Sequence, residues 1–426
     1  MEMILQKDRL IELLQHPDAR VREECAQALA QFFPQSEGVM KPLLQALRSY
    51  PESPLALGVH IPAFIPDEED MQELLKLYTD AAENPDSNSF SMRFHILNGF
   101  LNFPSEILEP HRQFLEQDNG FKRDVAKLKL FEEFRERPAE DLWNELDELC
   151  AGWSADAIDK GEQQRAQLLA DALALHPEQT GAYVTDLLND AASEKYMLRD
   201  YAVPLAGILK REDTIPALFR ILAESDFMDF VHEACVKALG HIGTPAVLEG
   251  IPQYYAQDEE LRIHLADILG YMPYPYTEDF GIQLLEQEQD PEKKSFIAIS
   301  LCDIFSLKGA ERVQEIIEKQ QYSPEIATLL DLIIPVYAYH GKEVDLSELE
   351  CADKAFRDDF RANSPMGRMR KQLLQGLENF SKRRQSELPE LPEPPKLPRE
   401  ELPALPQKKG KAAQKRAKKK KKKKRK

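Results

Sequence analysis

The chain has 426 residues, 42% of them hydrophobic, and a net charge of −19. That length allows two or three ordinary domains or one elongated repeat array, and the apolar fraction allows a substantial core. No apolar run approaches the roughly 18–20 residues that cross a bilayer, which excludes a membrane-spanning helix. The first ten residues lack a basic start and an apolar stretch, so no signal peptide is expected. The five cysteines, Cys25, Cys150, Cys235, Cys302 and Cys351, are dispersed and form no CxxC pair. Free thiols in a reducing compartment are the expectation, and with them a cytoplasmic protein.

The first elements lie in Leu10–Ala30, LIELLQHPDARVREECAQALA. The spacing predicts an amphipathic helix, a Pro-Asp turn and a second amphipathic helix. That second-helix pattern recurs. With Val21 as position zero, the matching starts are Leu198, Val231, Leu261 and Lys293, the last four separated by 33, 30 and 32 residues. Position four holds Cys25, Ala202, Cys235, Leu265 and Ile297; position eight holds Leu29, Ala206, Leu239, Leu269 and Leu301. These positions share one helical face. Position nine is always small: Ala30, Gly207, Gly240, Gly270 and Cys302. A small residue there lets neighbouring helices approach closely. Position one is basic or His: Arg22, Arg199, His232, Arg262 and Lys294. Asp18, Asp226, Asp258 and Asp290 precede four of the helices, and Met92-Arg93 starts a weaker copy.

This pattern of aspartate, turn, apolar-Arg and a small, apolar helix resembles the HEAT repeat family. The period of about 30 residues is also similar to the HEAT-like repeats of phycobilisome lyases. The resemblance is clearest over residues 8–31 and 187–307 and partial over 38–160, where the spacing is irregular. It implies an all-α fold: a right-handed α-solenoid of helical hairpins over 1–360. One hairpin of about 30 residues cannot bury both its apolar faces, whereas a stack can. In this family the position-one Arg commonly pairs with the Asp of a neighbouring repeat, and that role is expected here. The prolines Pro17, Pro216, Pro245, Pro291 and Pro324 fall where helices start or loops turn; Pro204 and Pro335 fall inside helices and should kink them.

Beyond residue 360 the sequence changes character. A terminal basic helix is expected over 361–386. Residues 387–406 carry seven prolines and read as an extended spacer. Residues 407–426 carry 14 Lys or Arg and no acid, which leaves 41 bases against 74 acids before them, a body of −33. This tail cannot bury a core and is expected to be disordered. Its basic residues Lys415, Arg416, Lys418, Lys419, Lys420, Lys421, Lys422, Lys423, Lys424, Arg425 and Lys426 are the candidate nucleic-acid contacts. No aromatic residue lies between 381 and 426, so base stacking is not expected there. Binding to RNA, ribosomes or DNA, folding back on the acidic body, and a solubility role all remain open.

By the resemblance, the second helices line the concave surface. Its candidate protein-binding residues are Glu23, Asp200, Glu233, Lys237, Asp267 and Asp303, mostly acidic, suited to a basic partner segment. A merely solvated acidic face is the competing reading. Chemistry is poorly signalled. There is no HExxH, GxSxG, phosphate-loop or GxGxxG pattern, and His232 with Cys235 lacks a second pair of ligands. Cys235 and His264 read as core residues, and Trp143 and Trp153 as packing anchors. No cofactor and no metal are expected. The expected function is a non-enzymatic scaffold or adaptor, with protein partners on the solenoid and a polyanion on the tail. The alternatives are an enzyme-accessory, lyase-type protein and an acidic groove regulated by its own basic tail. A positively charged groove would instead point to a glycosylase-like protein.

Overall fold

The computed structural model describes residues 2–50, 54–83, 87–117, 121–153, 159–192, 195–225 and 230–363. Among them every element is helical. The helices group into one unit, Met1–Phe360; Arg361–Lys426 form a second, and the spacer and tail expected within it lie outside the described residues.

The first hairpin is α1 (Lys7–Leu13) with α2 (Ala19–Phe32). A less regular stretch follows: α3 (Met40–Ser49), α4 (Pro54–Gly58), α5 (Glu68–Glu83), α6 (Ser87–Asn102), α7 (Ser105–Leu108), α8 (Arg112–Gln117) and α9 (Lys122–Arg135). Hairpins then succeed one another regularly. They are α10 (Ala139–Ala151) with α11 (Lys160–Leu173), α12 (Pro177–Asn189) with α13 (Tyr196–Ile208), and α14 (Ile215–Glu224) with α15 (Phe230–Ile242). After them come α16 (Pro245–Gln257) with α17 (Leu261–Leu269), α18 (Pro275–Gln287) with α19 (Pro291–Asp303), and α20 (Leu307–Glu318) with α21 (Leu329–Tyr339). The last helix described is α22 (Ser347–Asn363).

The local signals explain these boundaries. Asp18 accepts the Arg20 amide at the start of α2, and Asp290 accepts the Glu292 and Lys293 amides at the start of α19. Each satisfies N–H groups that the first helical turn leaves unpaired. Proline occupies the first turn of α12, α14, α16, α18 and α19, where its missing N–H costs nothing. α13 runs on through Pro204 and α21 through Pro335.

The repeat frame is the core. Positions zero, four and eight are buried in all five aligned second helices. Lys293 breaks the apolar pattern at position zero yet is only 9% exposed. Its stem lies in the core while its Nζ reaches Glu259 at 2.5 Å and Asp290 at 3.2 Å. The small residues at position nine permit the tight stacking. A Cβ on Gly207 would lie 2.7 Å from the Ala238 Cα, and one on Gly240 would lie 2.2 Å from the Tyr271 Cβ. Side chains larger than hydrogen would force α13 from α15, and α15 from the turn after α17.

The position-one residues hold the stack differently from the expectation. Arg22 is buried, donates to the His16 and Pro17 carbonyls at 2.8 and 2.9 Å, and lies 3.6 Å from the Tyr50 ring centroid. Arg262 donates to the Tyr255 carbonyl at 2.9 Å and faces Glu288 of the next hairpin at 3.6 Å. The aspartates are committed to caps: Asp258 accepts the Glu260 and Leu261 amides, as Asp18 and Asp290 cap their own helices. Asp18 and Asp290 also pair with Arg20 and Lys293 of their own helices, and the acid that meets Arg262 is Glu288. Asp226 lies outside the described residues.

Helix packing does not simply follow the chain. α13, α15, α17, α19 and α21 lie side by side in sequence order, and α9 packs on α11. α21 then packs against α2, the second helix of the first hairpin. Within this unit the circuit of neighbouring helices therefore closes on itself. Arg9 donates to the Tyr339 and Ala338 carbonyls at 3.0 and 3.1 Å, and the Tyr339 hydroxyl accepts the Gln6 amide at 2.7 Å. Arg20 reaches Asp331 at 2.9 Å. Farther along, the Ile4 amide donates to the Pro273 carbonyl at 2.8 Å.

Candidate functional site

The second helices form one layer, and residues from non-adjacent helices of it meet. Gln31 of α2 donates to the carbonyl of Gly270, just past α17, at 2.7 Å, although α19 and α21 stand between these helices in the stack. The C-terminal ends of α2 and α17 therefore approach each other.

Two regions of this layer carry polar groups. On α13 and α15 a cleft of about 300 Å³ is floored by Pro204, Ile208, Ala234 and Ala238. Glu233, Lys237 and His241 edge it. Glu233 and Lys237, one helical turn apart, pair at 2.5 Å. Burial, with the nearby Lys237 and Lys210, lowers the His241 pKa, so its ring favours the neutral form. Ile208 is 57% exposed, an apolar side chain left uncovered beside the cleft.

The second region lies across α17, α19 and α2. Asp267, Asp303 and Glu24 are all half-buried and electrostatically coupled: Asp303 feels both others. Burial, reinforced by these neighbouring carboxylates, pushes Asp303 up to about 8. Burial alone pushes Asp267 up to about 6, and burial together with the neighbouring Glu23 raises Glu24. No basic side chain is among the groups that shift any of the three. The Asp303 carboxylate lies against Gly270, where an added Cβ would meet its Oδ2 at 3.1 Å. The same glycine's carbonyl accepts Gln31.

The sequence candidates thus divide. Glu233 and Lys237 come together at the cleft, and Asp267 and Asp303 in the acidic cluster. Asp200 is exposed on α13. Glu23 is half-buried on α2, but its neighbour Glu24 is the carboxylate that reaches Asp303. The repeat frame put Glu24 one position away from the inner rows, and nothing in the sequence reported that α2 crosses toward α19. The basic tail residues lie outside the described residues. An acidic inner face does not suit contact with DNA there, so the glycosylase-like reading has no support from this surface.

The remaining candidates sit in the packing. Cys235 is buried, and His232 stacks on His264 with ring centroids 4.7 Å apart. No group of His, Cys, Asp or Glu among the described residues is arranged to hold a metal ion. Trp143 stacks on Tyr183 at 5.5 Å, and Trp153 donates its indole N–H to Glu162 at 2.9 Å. A second cleft, of about 850 Å³, runs between α1 and the segment after α21, lined by Arg9, Leu13, His16, Tyr337 and Val344 among others. No described helix is long and apolar enough to cross a membrane.

Stacked hairpins with a common layer of second helices define a helical-repeat scaffold, the architecture that presents extended surfaces to other proteins. The HEAT repeat family model matches residues 8–36, which cover the α1–α2 hairpin and the loop beyond, so this hairpin carries a HEAT repeat. No curated protein matches it.

Proposed function

We propose that this chain is a non-enzymatic adaptor. Its inner helical face holds a basic segment of a protein partner, and its lysine-rich end attaches to a polyanion such as RNA, a ribosome or DNA. The observation that carries the first part is the trio Glu24, Asp267 and Asp303, half-buried together with no basic side chain among the described residues shifting them. Partly desolvated charges of one sign are costly unless paired. A lysine or arginine arriving from outside would offset that cost. An acidic surface also concentrates cations through its field. The uncovered Ile208 and the α13–α15 cleft add apolar contact beside the charges, as a peptide groove requires.

The second part rests on composition. Fourteen basic residues within 407–426 would displace counterions from a nucleic acid, with affinity falling steeply as salt rises. The two attachments, joined by a proline-rich spacer, would reinforce each other.

The first test titrates a fluorescent oligolysine peptide into the full chain and into the Asp267→Asn/Asp303→Asn double variant. Binding should weaken by about ten-fold in the variant, the loss of one to two charge contacts. Unchanged affinity would remove the inner face from the proposal. The second test compares RNA co-sedimentation of the full chain and a 1–406 truncation over a salt series. Equal, salt-insensitive binding by both would remove the tail.

A further inference from the structure

Residues 4–32 meet residues 267–340 along a seam that joins the first hairpin to the last repeats. The polar contacts are specific: Arg9 to the Tyr339 and Ala338 carbonyls, Gln6 to the Tyr339 hydroxyl, Arg20 to Asp331, Ile4 to Pro273 and Gln31 to Gly270. Phe305 and Tyr339 add an apolar centre, their rings 5.2 Å apart, packed into the core of the first hairpin. Yet the seam is not closely filled, because the cleft of about 850 Å³ opens between α1 and the segment that follows α21. Three carboxylates from three helices converge on the same seam, Glu24 from α2, Asp267 from α17 and Asp303 from α19.

We propose that this seam is a proton-operated clasp: the first hairpin closes over the Asp267–Asp303 end of the inner face when these carboxyls are protonated, and loosens as they ionise. The groups around Asp303 all favour this behaviour. From α2 it faces Glu24, and from α17 Asp267; Tyr271, beyond α17, and the Cys302 thiol on its own helix are neutral when protonated. From α21, Tyr337 lies near Cys302 and its hydroxyl donates to Gln314. Lys237 acts on Tyr271 and is paired with Glu233. Ionisation therefore places two or three like charges across a half-buried contact with no counter-charge acting on Asp303 among the described residues, and the repulsion falls between α2 and α17–α19.

The sign follows from linkage. A carboxyl whose pKa is higher in the closed form than in the open form holds its proton better when closed. Closure is then fully favoured below the ordinary carboxyl range and is lost as pH rises through the folded values, about 6 for Asp267 and about 8 for Asp303. The clasp thus works on either side of neutrality. It also uncovers the carboxylates of the inner face as it opens.

The test is hydrogen–deuterium exchange of the full chain at about pH 5.5, pH 7 and pH 8.5, corrected for the intrinsic pH dependence of exchange. Peptides of α2 and α21 should exchange about ten-fold faster at the highest pH than at the lowest, while α13 and α15 stay constant. Asp303→Asn should hold α2 at the slow rate throughout, and Glu24→Gln supplies the same reading should the first variant fold poorly. Exchange in α2 that does not change with pH, or that changes in step with α13 and α15, overturns the clasp. No peptide or nucleic acid is present, so the outcome is separate from that of the adaptor tests.

Discussion

Gln31 donates its side-chain amide to the Gly270 carbonyl at 2.7 Å, across 239 residues of chain. This contact, with those of Arg9 and Arg20, sets the first repeat beside the last. A linear repeat array exposes an apolar face at each end and needs polar capping repeats there. Here the first hairpin covers α21 and is covered by it. That mutual capping explains why Leu10, Leu14, Val21 and Leu29 are fully buried in what sequence order makes a terminal repeat.

Arg9→Ala should destabilise the chain by about 1–2 kcal/mol, because it strands the carbonyls of Ala338 and Tyr339 at the end of α21. Urea unfolding reads this as a lower midpoint. Arg312→Ala is the comparison. Its partners Glu315 and Glu286 are exposed pairs, so its midpoint should move by no more than a few tenths of a kcal/mol. Equal shifts for the two would mean that the seam bonds carry no special weight.

Gly240→Ala should cost about 1–3 kcal/mol, the usual range for overpacking a filled core. The new methyl would lie 2.2 Å from the Tyr271 Cβ, so α15 must move away from the turn after α17. Thermal melting measures the loss. Trimming Tyr271 to alanine should not rescue it, since the colliding Cβ remains. A full rescue would place the clash in the ring instead.

Much of this fold was legible before the structure. Positions zero, four, eight and nine identified the core and the close approaches because both are set by helical period and side-chain volume, which a sequence states directly. That Asp267 and Asp303 lie near one another on neighbouring second helices was legible for the same reason. Glu24 was not, and neither was the seam. Each depends on which repeats meet in space, and the periodic signal that makes every repeat look alike carries no information about that order. The acid opposite Arg262 was also misjudged. Asp290 and Glu288 are two residues apart, and only the geometry of the cap decides which one turns toward the arginine.

That assignment is open to double-mutant cycles. Arg262 paired with Glu288 should show a coupling of about 0.5–1.5 kcal/mol, since Glu288 is 6% exposed and also accepts the Tyr255 hydroxyl at 2.5 Å. Arg262 paired with Asp290 should show coupling near zero. Asp290→Ala alone should still cost about 1 kcal/mol through the lost cap on α19. A large Arg262–Asp290 coupling would restore the expected inter-repeat pair.

Asp267→Asn should change stability in a pH-dependent way. Burial holds the Asp267 carboxyl at about 6 in the folded chain, above its ordinary value of 3.8. The folded state therefore binds this proton more tightly than the unfolded state does. The stabilisation is complete below the ordinary value and declines as pH rises through about 6, after which the ionised carboxylate sits in a partly desolvated place. Asparagine has no such proton to lose. Near pH 4 the variant and parent should unfold at similar denaturant concentrations. Near pH 8 the variant should be the more stable by about 1–2 kcal/mol, a value reduced from the full pKa displacement because solvent screens a half-buried group. Denaturation curves at the two pH values decide the matter. A variant that is less stable than the parent at pH 8 would mean that the ionised carboxylate has a favourable partner and that its burial is not a cost.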